Sequence, residues 1–303
     1  MAYLLLLKRR SRKNKEVYMK TIKVLFIATL LLLPTWSFAK SQVKASTIID
    51  QINAGKAVQY KNAEIVGNLD FTSIKDVTVD EKSKANRLLS KRSTLVYLYH
   101  VKSPLSFIDC VFAGDVLAYV RDDDENETHN AIFYKDVDFQ GCDFQGKSAF
   151  KYAKFKTKAN FKNTQYHDEA LFKYTRFSTD VSFSNSNFNK EANFKYTRFS
   201  TDVGFSNSNF NKEANFKYTK FPESVNFDNA TFQRFANFKY TKFPEGVSFK
   251  DAQFKGNADF KYTKFSEPVD FDGVSFDDDV NFKYTKIDGK SFTTYLVEKK
   301  LKK

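Results

Sequence analysis

The sequence predicts an all-β fold: a quadrilateral parallel β-helix of stacked four-sided coils, with a short helix capping its N-terminal end. Three observations carry this. Large apolar residues recur in steps that alternate five and six, from Phe139, Phe144, Phe150, Phe155 and Phe161 through to Phe282, Ile287 and Phe292, and only Tyr166 and Ile287 are not Phe. A small or β-branched residue stands two positions before almost every one, as at Val137, Ala153, Ala159, Thr175 and Ala192, with Lys290 the exception at the end of the array. Finally, residues 173 to 194 and 195 to 216 differ only at Ser182 and Gly204, so the repeating unit is one coil made of two steps of five and two of six.

An 11-residue period also suits a helical supercoil, but the alternating steps exclude it. A step of five turns an α-helical side chain by about 140°, so successive Phe would not share a face. In a strand, each position has a role. Residues i−2 and i point inward, i−1 points outward, and two or three further residues turn the corner. Five-residue steps have two-residue corners and six-residue steps have three. Pro222, Pro244 and Pro268 all fall in three-residue corners, where no ladder hydrogen bond is lost. One coil buries four Phe, too little apolar surface to offset the entropy of ordering its whole backbone, so stacking is obligatory.

The array runs from 131 to 292, and a charged tail, 293 to 303, is expected to cap or pair the last coil. At the other end the chain reads as a leader. A basic start at Met19, Lys20 and Lys23 precedes an apolar run from Val24 to Leu33 and the small-residue site Ser37-Phe38-Ala39. This predicts a signal peptide over 19 to 39, an upstream extension over 1 to 18, and an exported protein, in the periplasm or at the outer surface, with no membrane span after cleavage. The apolar run is shorter than the roughly 20 residues that a span requires. Residues 1 to 39 hold eight Lys or Arg and one Glu, so of the formal +13 only +6 (13 − 7) remains on the mature chain.

Residues 40 to 130 read as the cap helix and degenerate coils with inserted loops. Ser46 to Gly55 forms a short helix with Ser46 or Thr47 as N-cap and Gly55 as stop. Ala63, Ile65, Leu69, Phe71, Leu105, Phe107, Cys110 and Phe112 supply inward positions, whereas the charged stretch from Lys75 to Arg92 leaves the coil. Arg121 to Asn130 reads as a ten-residue inserted loop. Removing it makes Phe112 and Phe144 equivalent one coil apart, so Cys110 and Cys142 become stacked inward neighbours about 4.8 Å apart. A disulfide and a pair of buried thiols both fit that spacing.

The motif Ala-Asn-Phe-Lys-Tyr-Thr-Lys-Phe, as at Ala214 to Phe221, resembles the pentapeptide-repeat family, and the alternating spacing resembles its Phe-rich branch. The resemblance covers the whole array. It implies a right-handed, four-sided solenoid and no common catalytic residues. Some family members mimic DNA and bind DNA gyrase, a role that the basic balance and the leader argue against here.

Coil-to-coil stacking of the Phe-Lys-Tyr-Thr-Lys-Phe side predicts three exposed ladders. Lys151, Lys173, Lys195, Lys217, Lys239, Lys261 and Lys283 form one, and Tyr152, Tyr174, Tyr196, Tyr218, Tyr240, Tyr262 and Tyr284 the next. Lys154, Arg176, Arg198, Lys220, Lys242, Lys264 and Lys286 form the third. Seven rungs span about 29 Å. Like charges at that spacing repel, so the face is either a surface for an anionic polysaccharide, its sugar rings stacked on Tyr, or a charged solubility face partly neutralised by Asp180, Asp202, Glu223, Glu245 and Glu267. Nucleic acid is a weaker partner for an exported chain. The Thr175, Thr197 and Thr219 series occupies inward positions and is hidden.

The sequence carries no cofactor or metal motif. His100, His129 and His167 are scattered, and Asp122, Asp123, Asp124 and Glu125 read as an exposed acidic loop. The expectation is a non-enzymatic structural or binding module. The alternative is an inhibitor or scaffold that engages a protein through the charged rod, and two rods joined at the C-terminal end remain open.

Overall fold

The structure, a computed structural model, describes residues 40–301; the expected leader and upstream extension lie outside them. Over these residues the chain winds into a four-faced parallel solenoid. Face 1 holds strands such as Arg176–Phe177, face 2 Val181–Ser182, face 3 Asn187–Phe188 and face 4 Ala192–Asn193. Each pairs in parallel with its counterpart in the next coil, so Val181 faces Val203, Phe188 faces Phe210, Ala192 faces Ala214 and Phe177 faces Phe199.

The interior is a set of aromatic columns. Phe172, Phe194, Phe216, Phe238 and Phe260 stack with centroids 5.0 to 5.1 Å apart. Rings from neighbouring faces meet edge to face, as Phe183 meets Phe194 at 5.1 Å and 80°, the geometry that the ring quadrupole favours. Each fully buried Phe contributes about 1.5 to 3 kcal/mol. The inward Thr of face 1 is buried and satisfied across coils: Thr197 Oγ1 donates to Phe172 O at 2.6 Å and Thr219 Oγ1 to Phe194 O at 2.7 Å. Tyr166 replaces Phe in one column between Phe144 and Phe188, and burial pushes its phenol well above the usual range.

Both ends are closed by short helices. Ala45, Ile48 and Ile52 of the helix Ala45–Asn53 are buried against the first coil. Its N-cap is Lys44, with no side-chain cap hydrogen bond, rather than Ser46 or Thr47. Strand Ser41–Lys44 pairs with Ala63–Val66 and delivers the chain directly into the helix, so tertiary pairing overrides the local capping signal. Gly55 lies just past the helix with φ 69°. At the far end, the residues expected to be a charged tail form a helix, Phe292–Leu301. Asp288 and Gly289, both at positive φ, turn Lys290–Ser291 back antiparallel on Lys286–Ile287. Phe292 therefore does not continue the repeat but stacks over Phe282 at 3.9 Å.

The insertions of the N-terminal region are not loops. Tyr119–Asp122 and Glu127–Phe133 form an antiparallel hairpin, in place of the expected ten-residue loop. Glu127–Phe133 also pairs in parallel with the whole of Leu95–Val101, which in turn takes Val77–Val79 as an antiparallel neighbour. Together with the helix Glu81–Leu89, whose Asp80 side chain accepts from Ser83 N, these strands build a blade. It joins the solenoid through Ile132 and Phe133, which pair with Lys154 and Phe155 of face 1. With the hairpin set aside, Phe112 and Phe144 are partners one coil apart, as the spacing predicts.

Candidate functional site

The predicted ladders form, and they sit on the corner that joins face 4 to face 1. The corner is a four-residue turn, closed for example by Thr175 N donating to Phe172 O at 3.0 Å, with Lys173 and Tyr174 in its middle. Tyr174 N also donates to Lys195 O in the next coil at 3.1 Å, which fixes the rungs in register.

All seven Tyr of this corner have φ between 59° and 63°. That region is disfavoured for bulky side chains and ordinarily falls to Gly, Asn or Asp. The chain supplies its own comparison. The other two-residue corner, between faces 2 and 3, has the same conformation and uses Asn163, Asn185, Asn207, Asn229, Asp251 and Gly273. One corner thus has the residues that the backbone prefers, and its counterpart repeats tyrosine against that preference.

Tyrosine gains a continuous stack. From Tyr152 to Tyr284 every successive pair of rings is 4.8 Å apart, and from Tyr152 to Tyr262 they are within 5° of parallel. Each corner Lys lies over the ring of its own coil. The Nζ-to-centroid distance is 5.2 Å for Lys173 over Tyr174, 5.3 Å for Lys195 over Tyr196 and 5.3 Å for Lys217 over Tyr218. Lys239 over Tyr240 and Lys261 over Tyr262 repeat it at 5.6 and 5.2 Å. The ring quadrupole attracts these ammonium groups, a contact that the spacing alone did not suggest. Sequence reading also missed Tyr119, whose ring lies 5.7 Å from Tyr152 and accepts Lys151 at 4.5 Å, adding a rung from the blade.

The third ladder, the outward residue of face 1, is exposed from Arg176 to Lys286. Among the described residues, no carboxylate comes within ion-pair distance of any cation of the two ladders, so Asp180, Asp202, Glu223, Glu245 and Glu267 do not pair with them. Proximity of like charge is felt locally. Burial, then Lys195 and Lys151, hold the Lys173 amine below its ordinary range, and burial, then Arg176, does the same to Lys154.

The blade walls one end of this surface. Between them lies a cleft of about 490 Å³. Val96, Leu98, Thr128 and Asn130 line its blade side, and Lys154, Arg176 and Arg198 with Tyr152, Tyr174 and Tyr196 line its ladder side.

The other predicted residues are elsewhere. Cys110 and Cys142 are fully buried stacked neighbours carrying free thiols, with Cys142 Sγ 3.1 Å from Phe107 O, and burial pushes the Cys142 thiol far up. His167 meets Asp143 at 2.9 Å on face 3. His129 stacks on Tyr97 at 5.0 Å, and His100 contacts Tyr134 at 3.0 Å. His100 is partnered by Ile132, three positions from His129, so the strand alternation puts the two imidazoles on opposite faces of the blade. Asp122 accepts from Glu125 N within the hairpin turn, and Asp123 pairs with Arg121.

Comparison with family models matches the description "Pentapeptide repeats (9 copies)" to residues 129–176, 172–220 and 216–264. No curated protein and no solved structure gives a significant match.

Proposed function

Because the chain belongs to the pentapeptide-repeat family, whose solenoids are structural or binding modules, we propose that it is an exported, non-enzymatic binding module whose Lys–Tyr–Lys face takes an extended anionic glycan. The observation that supports this most directly is the contrast between the two corners. A face needed only for solubility would be served by Asn or Gly at positive φ, as the corner between faces 2 and 3 is. Tyrosine costs conformational energy there and adds rings at 4.8 Å intervals, flanked on both sides by cations that have no carboxylate partner among the described residues. Backbone strain repeated at one surface is a mark of function. The inner rings have a neighbouring Tyr on both faces, so a sugar chain laid along the ladder would meet their outer rims between the two rows of cations.

Charge neutralisation and stacking are separable. Replacing Lys217, Lys239 and Lys261 together with Gln is expected to abolish retention on an acidic polysaccharide matrix at low salt while leaving the melting temperature within a few degrees of the parent. Undiminished retention of the triple variant would refute the reading. A stoichiometric protein captured from envelope extract, with no retention on the glycan, would favour the inhibitor instead.

A further inference from the structure

The ladder explains attraction for a polyanion but leaves one wall of the cleft unaccounted for. Asn130 lies in that wall, flanked across the sheet by Leu98 on one edge and Tyr119 on the other. It is only 6% exposed, and its Oδ1 has no hydrogen-bond partner among the described residues. A buried carbonyl oxygen without a donor is costly, and native structures rarely keep one without a reason. Asn130 stands on the same strand face as Ile132, the partner of Lys154, so the orphan acceptor and the first cation of face 1 share one surface.

We infer that the blade end of the cleft is a subsite that reads a neutral hydroxyl of the acidic glycan, beside the anionic groups that the ladder takes. The inference rests on the reading of the ladder as a face for an anionic glycan and adds which uncharged group of that glycan is recognised. A phosphate or carboxylate oxygen is itself an acceptor and cannot satisfy Asn130 Oδ1. With a small turn of the Asn130 amide, whose Oδ1 is closed to solvent in this structure, a sugar hydroxyl can donate to it while the carboxylate of the same or the next unit meets Lys154 and Arg176. Lys151 Nζ donates to Tyr119 Oη at 3.1 Å, whereas Lys154 and Arg176, which line the cleft together with Asp80, have no ion-pair partner among the described residues.

The probes are a β-linked mannuronate hexamer and the same hexamer with its hydroxyls O-methylated and its carboxylates free, titrated calorimetrically at fixed ionic strength into the parent and into Asn130→Ala. Circular dichroism confirms that the variant is folded. The parent should bind the free hexamer about tenfold more tightly than the methylated one, and Asn130→Ala should bind the two alike. Equal binding by the parent overturns the subsite, because it shows that no hydroxyl is read, and so does a variant that keeps the tenfold preference. The comparison of two ligands on the parent stands even if Asn130→Ala does not fold. Binding of neither hexamer by the parent would instead remove the ladder reading on which the inference rests.

Discussion

At each Lys–Tyr corner the backbone places tyrosine where a β-carbon is crowded, at a cost of about 1 to 2 kcal/mol for an ordinary residue. Stacking returns about 0.5 to 1.5 kcal/mol per ring pair, so the ladder is close to neutral for the fold. Replacing Tyr218, Tyr240 and Tyr262 with Asn, which tolerates φ near 60°, should therefore change stability by no more than about 1 kcal/mol per site, measured by urea denaturation. Binding to acidic glycan should fall at least tenfold. A large loss of stability would mean that the rings serve the solenoid and not a ligand. The ladders themselves were legible, because a residue that recurs once in every coil must stack on itself. Its conformation was not, since nothing in the repeat distinguishes a corner at positive φ from one at negative φ except the Asn and Asp of the opposite corner. Tyr119 escaped because it stands in register with Lys151 rather than Tyr152, one position off the period.

Among the elements, the coils followed from the sequence and the blade did not. A coil is specified by local spacing, whereas the blade depends on pairing Leu95–Val101 with Glu127–Phe133, two segments well separated along the chain that show no shared pattern. The two ends of the array failed for a related reason. Lys44 caps a helix because of a strand pairing, and Phe292, which follows Ile287 by five residues where the alternation calls for six, is turned back by Asp288 and Gly289. Within the array, contacts are confined to adjacent coils, so stability is a sum of coil and neighbour terms. Deleting residues 195 to 216 joins Phe194 to Lys217 in the same register that Phe194 has with Lys195. The shortened protein should fold with a parallel-β circular dichroism spectrum and lose one rung of binding. An unfolded product would refute the claim that coils are interchangeable.

For the whole molecule, the ladder couples stability to pH. Lys151, Lys154 and Lys173 are held below the free-lysine value of 10.5, first by burial and then by Arg121, Arg176 and Lys195 respectively. The folded chain therefore binds these protons less tightly than the unfolded one. The penalty is fully present below their folded pKa values and is relieved as pH rises toward 10.5. Tyr119 and Tyr152 have the opposite sign. Burial raises both above the free value of 10.0, so their contribution is present below that pH and lost above it. Melting temperature should thus climb as pH approaches 10 from below and fall beyond, and Lys151→Gln with Lys154→Gln and Lys173→Gln should remove the climb. A flat profile in the parent would show that the ladder charges are screened by solvent.

The two ends of the solenoid are not alike: a broad blade stands beside the first rungs, and a single helix folds over the last aromatic ring. The track between them consequently has a head and a tail. A sugar chain, which has a reducing and a non-reducing terminus, would meet different surroundings in its two orientations. On the proposed reading, the rod would hold such a polymer one way round.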